Sequence, residues 1–311
     1  MSFDFELDRA VRLAAFKWLD MQKAMLGDVL PRSILETGFE FNGTQVPIVG
    51  PQGIFKPKVL PKIPLSITTI PGGPYDDDLR DGASVILYRY RGTDTNHHEN
   101  IGVRRAYETQ TPLVYCYRVM PGSYVVSYPV FVCGDRPGQL TFDIQLDDEI
   151  GLARYANTSL ETLQVEETTL HRRYITTTAK KRLHQVAFRE RVLRAYETRC
   201  ALCRLRHGAL LDAAHIIPDG EPDGSPEVSN GLSLCKIHHA AYDLSYLGIT
   251  PKYKVEVRMD LLEEIDGPML QHGIKALQGQ SIALPKARKD RPSSTRLEVR
   301  FEKFLETNRS D

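Results

Sequence analysis

Two short pairs of potential metal ligands stand in the second half of the chain. Cys200 and Cys203 are separated by two residues, and so are Cys235 and His238. This spacing lets both side chains of a turn point at one ion, and thiolates with an imidazole suit tetrahedral zinc. The chain has five cysteines, an odd number that does not suggest a disulfide framework. The two pairs therefore predict a structural zinc site.

Polar residues that a zinc clamp does not need lie between and beside these pairs. His215 ends a stretch typical of a β-strand entering a turn, Asn230 precedes a second such stretch, and His239 directly follows His238. A neutral imidazole with its ordinary pKa of ~6.5 can accept a proton from water at physiological pH. A hydrogen-bonded core role would explain one such residue, but three beside one zinc clamp favour a functional site.

Three segments carry a family resemblance. Residues 212–218 (DAAHIIP), 229–235 (SNGLSLC) and 236–243 (KIHHAAYD) resemble HNH nucleases, which have a ββα-metal fold, and the resemblance extends over about 185–250. It implies a metal-dependent DNA endonuclease in which His215 is the general base and Asn230 fixes the loop and the orientation of the base. His239 would bind a catalytic Mg²⁺ or Mn²⁺, and Cys200, Cys203, Cys235 and His238 would hold the structural zinc.

One position departs from the HNH pattern. Many HNH enzymes have an aspartate directly before the base as the second metal ligand, and here that residue is Ala214. Asp212 is the nearest acid and shares a face with Ala214 in a regular strand, because side chains alternate along a strand. We expect Asp212 to complete the catalytic metal site with His239, and Asp243 is the alternative acid.

The elements that must position these groups indicate an α+β protein. An amphipathic helix over 5–27 is followed by short β-prone runs from about 40 to 150, separated by turns, with one helix at about 100–109. Another helix begins near residue 180. The pattern predicts a domain built on a curved sheet or small barrel, followed by the zinc-containing domain.

A second family resemblance lies in the β-rich part. Residues 73–82 (GPYDDDLRDG), 85–88, 91–94, 100–106 and 112–115 resemble the SRA domain, a PUA-like fold, over about 37–135. SRA domains bind methylated DNA by flipping a modified cytosine into a pocket. The resemblance implies that the rings of Tyr75 and Tyr88 stack on the base and that Asp78 binds its edge, with Tyr90 as an alternative second ring. Methyl, hydroxymethyl and larger 5-substituents remain open.

Together the segments predict five regions. They are an N-terminal helix (1–36), an SRA-like reader (37–155), a connector (156–179), the HNH domain (180–283) and a C-terminal tail with a short helix (284–311). This combination resembles a modification-dependent restriction endonuclease of type IV or IIM, whose partner is duplex DNA containing 5-methylcytosine or 5-hydroxymethylcytosine. One HNH site per chain favours a homodimer for cutting both strands. Trp18 on the first helix is either a dimer contact or a core residue.

Composition narrows the class of protein. Forty basic and forty acidic residues cancel, so DNA binding must depend on local patches. No apolar run reaches the ~18–20 residues of a membrane span, and the N-terminus carries acids where a signal peptide needs basic residues. We expect a cytoplasmic prokaryotic protein. Two alternatives stay open: a non-enzymatic reader with a degenerate HNH fold, and an HNH nuclease that reads a different DNA modification.

Overall fold

The computed structural model describes residues 4–71, 85–146, 151–152, 155, 183–265 and 267–308. The chain divides into two compact units, Met1–Val186 and Ala187–Asp311. Among the described residues, no helix is long and apolar enough to cross a membrane.

The first unit begins with helix α1 (Phe5–Leu26), which confirms the helix predicted over 5–27. The carboxylate of Asp4 accepts a hydrogen bond from the Leu7 N–H and so caps its first turn. Val11, Ala15, Phe16 and Leu19 recur at helical spacing and are buried. Trp18 is partly buried with its ring 6.2 Å from that of Phe39, so it packs within this unit.

A fully buried ion pair attaches α1 to distant parts of the same unit. Arg12 Nε lies 2.6 Å from Asp8 Oδ1, and both side chains are essentially inaccessible to solvent. The Arg12 guanidinium also donates to the carbonyls of Pro64 and Pro112, at 2.8 and 3.0 Å. A buried charge is tolerated only when it is paired and hydrogen-bonded in this way. The first helix is therefore integrated into the sheet unit.

The body of the first unit is a curled half-barrel sheet of seven strands. This confirms the prediction of a curved sheet. Its strand order is β4-β5-β7-β8-β9-β6, with β1 paired to β8, and only the β5–β7 pair is parallel. The elements after α1 are β1 (Val29–Pro31), α2 (Arg32–Thr37), β2 (Phe39–Phe41), β3 (Thr44–Val46), β4 (Ile54–Phe55), β5 (Ser66–Thr69), β6 (Ile86–Arg89), α3 (His98–Thr109), β7 (Leu113–Met120), β8 (Ser123–Arg136) and β9 (Thr141–Leu146).

A bulge in β8 accompanies the curl of the sheet. The pairing of β8 with β9 shifts register between Val132 and Gly134, and bulges of this kind bend a strand and increase its twist. A Cβ at Gly134 would lie 2.7 Å from Asp143 Oδ2 on β9, so a larger residue here would displace the Asp143 side chain. The strand predicted over 124–132 therefore belongs to a longer strand that continues beyond the bulge.

The second unit contains the ββα order that HNH resemblance implies. Residues 183–195 are helical (α4), and residues 187–195 belong to this unit. It continues with β10 (Leu211–His215), β11 (Gly231–Cys235), α5 (Lys236–Asp243), β12 (Leu247–Ile249), β13 (Val255–Val257), α6 (Met259–Glu263), α7 (Pro268–Gly273) and α8 (Ser294–Thr307). Strands β10 and β11 are antiparallel, with His215 opposite Gly231 and Ala214 opposite Leu232.

The C-terminal helix α8 is part of the core of the second unit. Its side chains Leu297 and Phe304 are buried, and the Phe304 ring lies against β12. A Cβ at Gly248 on β12 would stand 2.7 Å from that ring, so glycine permits the close approach. The helix in the predicted C-terminal tail is thus a packed element of 14 residues.

Candidate active site and metal cluster

The four predicted zinc ligands converge at the start of α5. Their donor atoms all lie within 4.8 Å of one another. His238 Nδ1 stands 3.2 Å from Cys235 Sγ and 3.5 Å from Cys200 Sγ, and the Sγ atoms of Cys203 and Cys235 are 4.0 Å apart. Bonds of ~2.3 Å from a tetrahedral zinc to sulfur place its ligand atoms about 3.8 Å apart. The Cys₃His cluster could therefore hold a structural metal such as zinc.

The outer contacts of the cluster suit a cation as well. His238 Nε2 lies 2.7 Å from the carbonyl oxygen of Gly273, at the end of α7. This contact assigns the N–H to Nε2 and leaves the Nδ1 lone pair facing the thiols, as in the outer hydrogen bonds of metal-binding histidines. A hydrogen bond from Cys235 also lowers the pKa of the Cys200 thiol well below its usual value. The thiolate is the form that binds a metal.

His239, one residue further along α5, lies between two carboxylates. Its Nδ1 is 3.6 Å from Asp212 Oδ2, and its Nε2 is 3.2 Å from Asp243 Oδ2. Asp212 comes from β10, whereas Asp243 lies four residues after His239 on the same helix and so shares its face. All three side chains are partly exposed. The structure therefore places both candidate acids, Asp212 and Asp243, beside His239.

Asp212 and Ala214 share one face of β10 but differ in exposure. Ala214, which replaces the usual aspartate, is fully buried against the core, whereas Asp212 keeps about a third of its side chain exposed and reaches His239. Arg189 on α4 supports this part of β10, because its guanidinium donates to the carbonyls of Gly208 and Leu211 at 2.8 Å each. Its Nε also lies 3.9 Å from Asp212 Oδ1.

Asn230 fastens the loop that follows His215. The residue is completely buried, and its Oδ1 accepts the Ile217 N–H at 2.9 Å. Its Nδ2 donates to the carbonyls of Ile217 and Ser225 at 2.9 and 3.0 Å, and its own carbonyl accepts from the Ile216 N–H. The amide therefore holds the chain immediately after His215. These are the contacts that a loop-fixing residue would make, and its catalytic role stays a prediction.

An aromatic residue that the sequence did not indicate packs on His215. The rings of Phe188 and His215 are stacked, with centroids 4.0 Å apart and planes inclined by 14°. Gly231, opposite His215 in the β-ladder, makes room for this stack, because a Cβ there would stand 2.9 Å from Phe188 Cζ. The available signal was the apolar pair Phe188 and Val192, four residues apart on one helix face.

The environment of His215 favours its neutral form. Burial lowers the pKa of His215 below 6.5, and the positive charge that His239 carries when protonated lowers it further. The carboxylates of Asp219 and Asp243 act in the opposite direction and do not cancel the effect of burial. An imidazole that stays unprotonated to lower pH can accept a proton over a wider range.

If His215 is the general base that the HNH resemblance implies, Phe188→Leu should move the acid limb of the pH–rate profile for DNA cleavage to higher pH. The smaller side chain would expose more of the imidazole, raise the pKa of His215 towards its ordinary value, and leave less neutral base under mildly acidic conditions. Initial cleavage rates measured across the acid limb test this. Phe301→Leu, the same change on α8, is the matched control and should leave the limb in place. An unshifted limb in Phe188→Leu would show that the stack does not tune His215.

The predicted base pocket is described only in part. Tyr75 and Asp78 lie outside the described residues. Tyr88 is on β6 opposite Phe142 of β9 and is 5% exposed. Its hydroxyl lies beside Gly53, where a Cβ would stand 3.6 Å from it. The structure therefore locates one of the three predicted pocket residues, on the terminal strand β6 of the sheet.

Tyr90, the alternative second ring, is committed to other contacts. It is 1% exposed and its ring stacks on Phe142 with centroids 4.4 Å apart. Its hydroxyl donates to Asp135 and accepts from Arg104 Nη2, and Arg104 Nε binds the same Asp135 carboxylate at 2.7 Å. Tyr90 thus belongs to a hydrogen-bonded cluster that holds β6 to α3 and β8.

Comparisons with known proteins agree with this description for the second unit. The family model for HNH endonucleases matches residues 200–250. No curated protein matches the sequence of the chain. Among solved structures, a protein described as the modification-dependent TagI restriction endonuclease is 16% identical, with a TM-score of 0.30, covering 77% of this chain and 81% of its own. That similarity is too low to assign a function. Residues 200–250 form an HNH endonuclease domain, which contains the Cys₃His cluster together with His215, Asn230 and His239.

Proposed function

We propose that the chain is a metal-dependent DNA endonuclease that cuts duplex DNA near a modified cytosine. The observation that carries the nuclease half is the placement of His239 between Asp212 and Asp243, on the ββα element that also positions His215. The HNH family match covers the same residues. The reader half rests on the SRA resemblance of residues 37–135 and on the half-barrel sheet formed there.

In the proposed mechanism His215 accepts the proton of the attacking water. Its lowered pKa keeps the imidazole neutral, the stacked Phe188 holds the ring plane, and the Asn230 amide holds the loop that follows it. His239 and one neighbouring acid would hold a divalent cation, and their partly exposed nitrogen and oxygen donors fit Mg²⁺ or Mn²⁺ with bound water. When bound, that cation would neutralise the charge that builds up on the phosphate and the leaving oxygen.

The two acids beside His239 would have different roles. A metal-binding histidine uses one ring nitrogen for the cation and gives the other to an outer carboxylate or carbonyl. Each nitrogen of His239 faces a different carboxylate, so one acid would share the cation and the other would orient the ring. We assign the shared cation to Asp212 on β10 and the orienting role to Asp243.

We expect Asp212→Asn to lose catalytic metal binding and Asp243→Asn to weaken it by about 10- to 100-fold. Titration of the purified chain with Mn²⁺ measures both effects without a cleavage assay. The electron paramagnetic resonance signal of the free ion gives the fraction that is unbound. Asp290→Asn elsewhere in the unit is the control and should bind Mn²⁺ as the wild type does. The reverse ranking of the two acids would transfer the shared cation to Asp243.

The reader would recognise cytosine by a flipped-base mechanism. Stacking of the base between the rings of Tyr75 and Tyr88 would offset the few kcal/mol needed to unstack it from the duplex. The carboxylate of Asp78 would accept a hydrogen bond from the exocyclic amine of cytosine, which thymine lacks. Asp78→Ala should therefore remove the preference for modified over unmodified duplex in a binding competition. Asp76→Ala from the same acidic run is the matched control.

One cleavage assay tests the whole proposal. A single plasmid is prepared unmodified, with 5-methylcytosine, with 5-hydroxymethylcytosine and in glucosylated form, and each is incubated with Mg²⁺, Mn²⁺ or EDTA. Metal-dependent cutting of modified forms alone is the expected result, and the ends would give the distance from the modified base. Equal cutting of every form would leave an HNH nuclease whose first unit has another role.

A second candidate function follows from Ala214. An HNH fold without the usual aspartate is compatible with a non-enzymatic reader, stabilised by its metal cluster. Binding of modified plasmid without cutting under any metal condition would favour this reader. For the nuclease, one site per chain suggests that two copies act together to cut both strands, so we propose a homodimer or a transient pair on DNA. The mass of the DNA-bound complex, measured in solution, tests this stoichiometry.

A further inference from the structure

The C-terminal helix α8 lies outside the residues that match the HNH family, yet it contacts the segments that carry the candidate active site. Its buried side chains Leu297 and Phe304 pack it into the second unit. Its polar face presents Arg296, Arg300 and Lys303 to different parts of that unit. Arg300 reaches backbone carbonyls at the end of α5, and Arg296 reaches the loop over 225–229.

Arg300 binds the end of the helix that carries His239. Its Nη2 donates to the carbonyl of Tyr242 at 3.0 Å and to that of Asp243 at 3.3 Å, and its guanidinium lies 4.9 Å from the centre of the Tyr242 ring. The last carbonyls of a helix have no partner within it, and a cation there also interacts favourably with the helix dipole. Arg300 therefore fixes the backbone of Asp243, whose carboxylate stands 3.2 Å from His239 Nε2.

The metal cluster holds the other end of the same helix. Cys235 and His238, at the first turn of α5, belong to the Cys₃His group. His239 thus lies on an eight-residue helix that is held at its start by the cluster and at its end by Arg300. A short helix of this kind has little stability of its own, so its position depends on such contacts.

Arg296 binds the loop that leads to Asn230. Its guanidinium donates to the Ser225 hydroxyl at 3.0 Å, to the Ser229 hydroxyl at 3.1 Å and to the Glu227 carboxylate at 3.2 Å. The carbonyl of Ser225 in turn accepts from Asn230 Nδ2. The side chain is only 18% exposed, so these bonds are partly shielded from water. Arg296 therefore acts on the part of the site that contains the general base His215. It does so through the Asn230 amide, which holds the loop after His215.

We propose that α8 positions both halves of the nuclease site, through Arg300 at the end of α5 and through Arg296 on the loop over 225–229. This inference deepens the proposed function and rests on it. Neither arginine is assigned contact with DNA or with the cation. Both are positioning residues, which act through Asp243 and Asn230 respectively.

The test for Arg300 is Mn²⁺ binding by the zinc-loaded full chain. Arg300→Met keeps the aliphatic packing on Tyr242 and removes the donors, and we expect it to weaken Mn²⁺ binding by about tenfold with zinc content unchanged. Lys303→Met on the same helix loses only an exposed ion pair with Glu221 and is the control, with wild-type binding expected. Wild-type Mn²⁺ affinity in Arg300→Met would overturn the role of Arg300.

A second variant decides the case in which Arg300→Met loses zinc. Arg300→Lys keeps a positive charge at the end of α5 but not the guanidinium that reaches both carbonyls. Weakened Mn²⁺ binding in a zinc-loaded Arg300→Lys chain supports positioning, and wild-type binding overturns it. A wild-type chain that neither binds Mn²⁺ nor cuts DNA would instead refute the proposed function.

For Arg296 the test compares the effect of one substitution on two quantities, the Mn²⁺ affinity and kcat. Arg296→Met should leave Mn²⁺ affinity unchanged and lower kcat by about 10- to 100-fold. It displaces the loop over 225–229, which acts on His215 through Asn230, and leaves α5, which carries His239, in place. The cleavage rate at saturating DNA and saturating Mn²⁺ measures kcat, and the metal titration measures Mn²⁺ affinity. An unchanged kcat, or a fall in Mn²⁺ affinity that accounts for the whole loss of activity, would overturn the role of Arg296.

Discussion

Replacing His215 with alanine is expected to lower the rate of DNA cleavage by about 10²- to 10⁴-fold, the contribution typical of a general base. The side chain stands at the end of β10, stacked on Phe188, and burial lowers its pKa so that it stays neutral. Cleavage of modified plasmid under single-turnover conditions measures the loss, and binding of the same DNA should be unaffected.

His207→Ala supplies the matched control for this result. His207 is an exposed histidine of the same unit, and its removal should leave the cleavage rate unchanged. Zinc content and the unfolding transition should be the same in both variants, which separates chemistry from stability. Cleavage by His215→Ala at the wild-type rate would remove His215 from the role of base.

The second large effect is expected for Cys203→Ser, which should lose the structural metal and unfold the second unit. Cys203 is an exposed residue whose Sγ faces Cys235, so the substitution removes a ligand with little loss of packing. Metal binding contributes on the order of 10–16 kcal/mol to the folding of small zinc domains, as much as the ~5–15 kcal/mol that keeps a typical domain folded. The metal-to-protein ratio and denaturant unfolding of the full chain measure both losses.

Cys133→Ser is the control for thiol removal. Cys133 is an exposed cysteine of the first unit and is not one of the four cluster residues, so the change should alter neither metal content nor the unfolding of the second unit. A Cys203→Ser chain with a full complement of metal would contradict the assignment of the cluster. A chain that loses the metal but keeps its unfolding transition would show that the metal does not support the fold.

Much of the second unit could be predicted because its information is local. The two-residue spacing within each ligand pair places both side chains on one turn, and the four donors do converge. Strand alternation predicted that Asp212 shares a face of β10 with Ala214, which is the local part of its placement. The helix over 5–27 and the curved sheet were equally visible, because apolar residues at helical or alternating spacing form one continuous face.

By itself, then, the sequence determined the first helix, the curved sheet, the four-residue metal cluster and the HNH segment, since each depends on spacing within a few residues or on one recognisable motif. Tertiary structure alone decided that Phe188 stacks on His215, that His239 stands between Asp212 and Asp243, and that Arg300 binds the end of α5. Arg300 and Tyr242 are 58 residues apart, and contacts at that range depend on how whole elements pack. Periodicity shows which face of α8 is apolar. It does not show which carbonyls the polar side chains of α8 bind, because that depends on which elements pack against the helix.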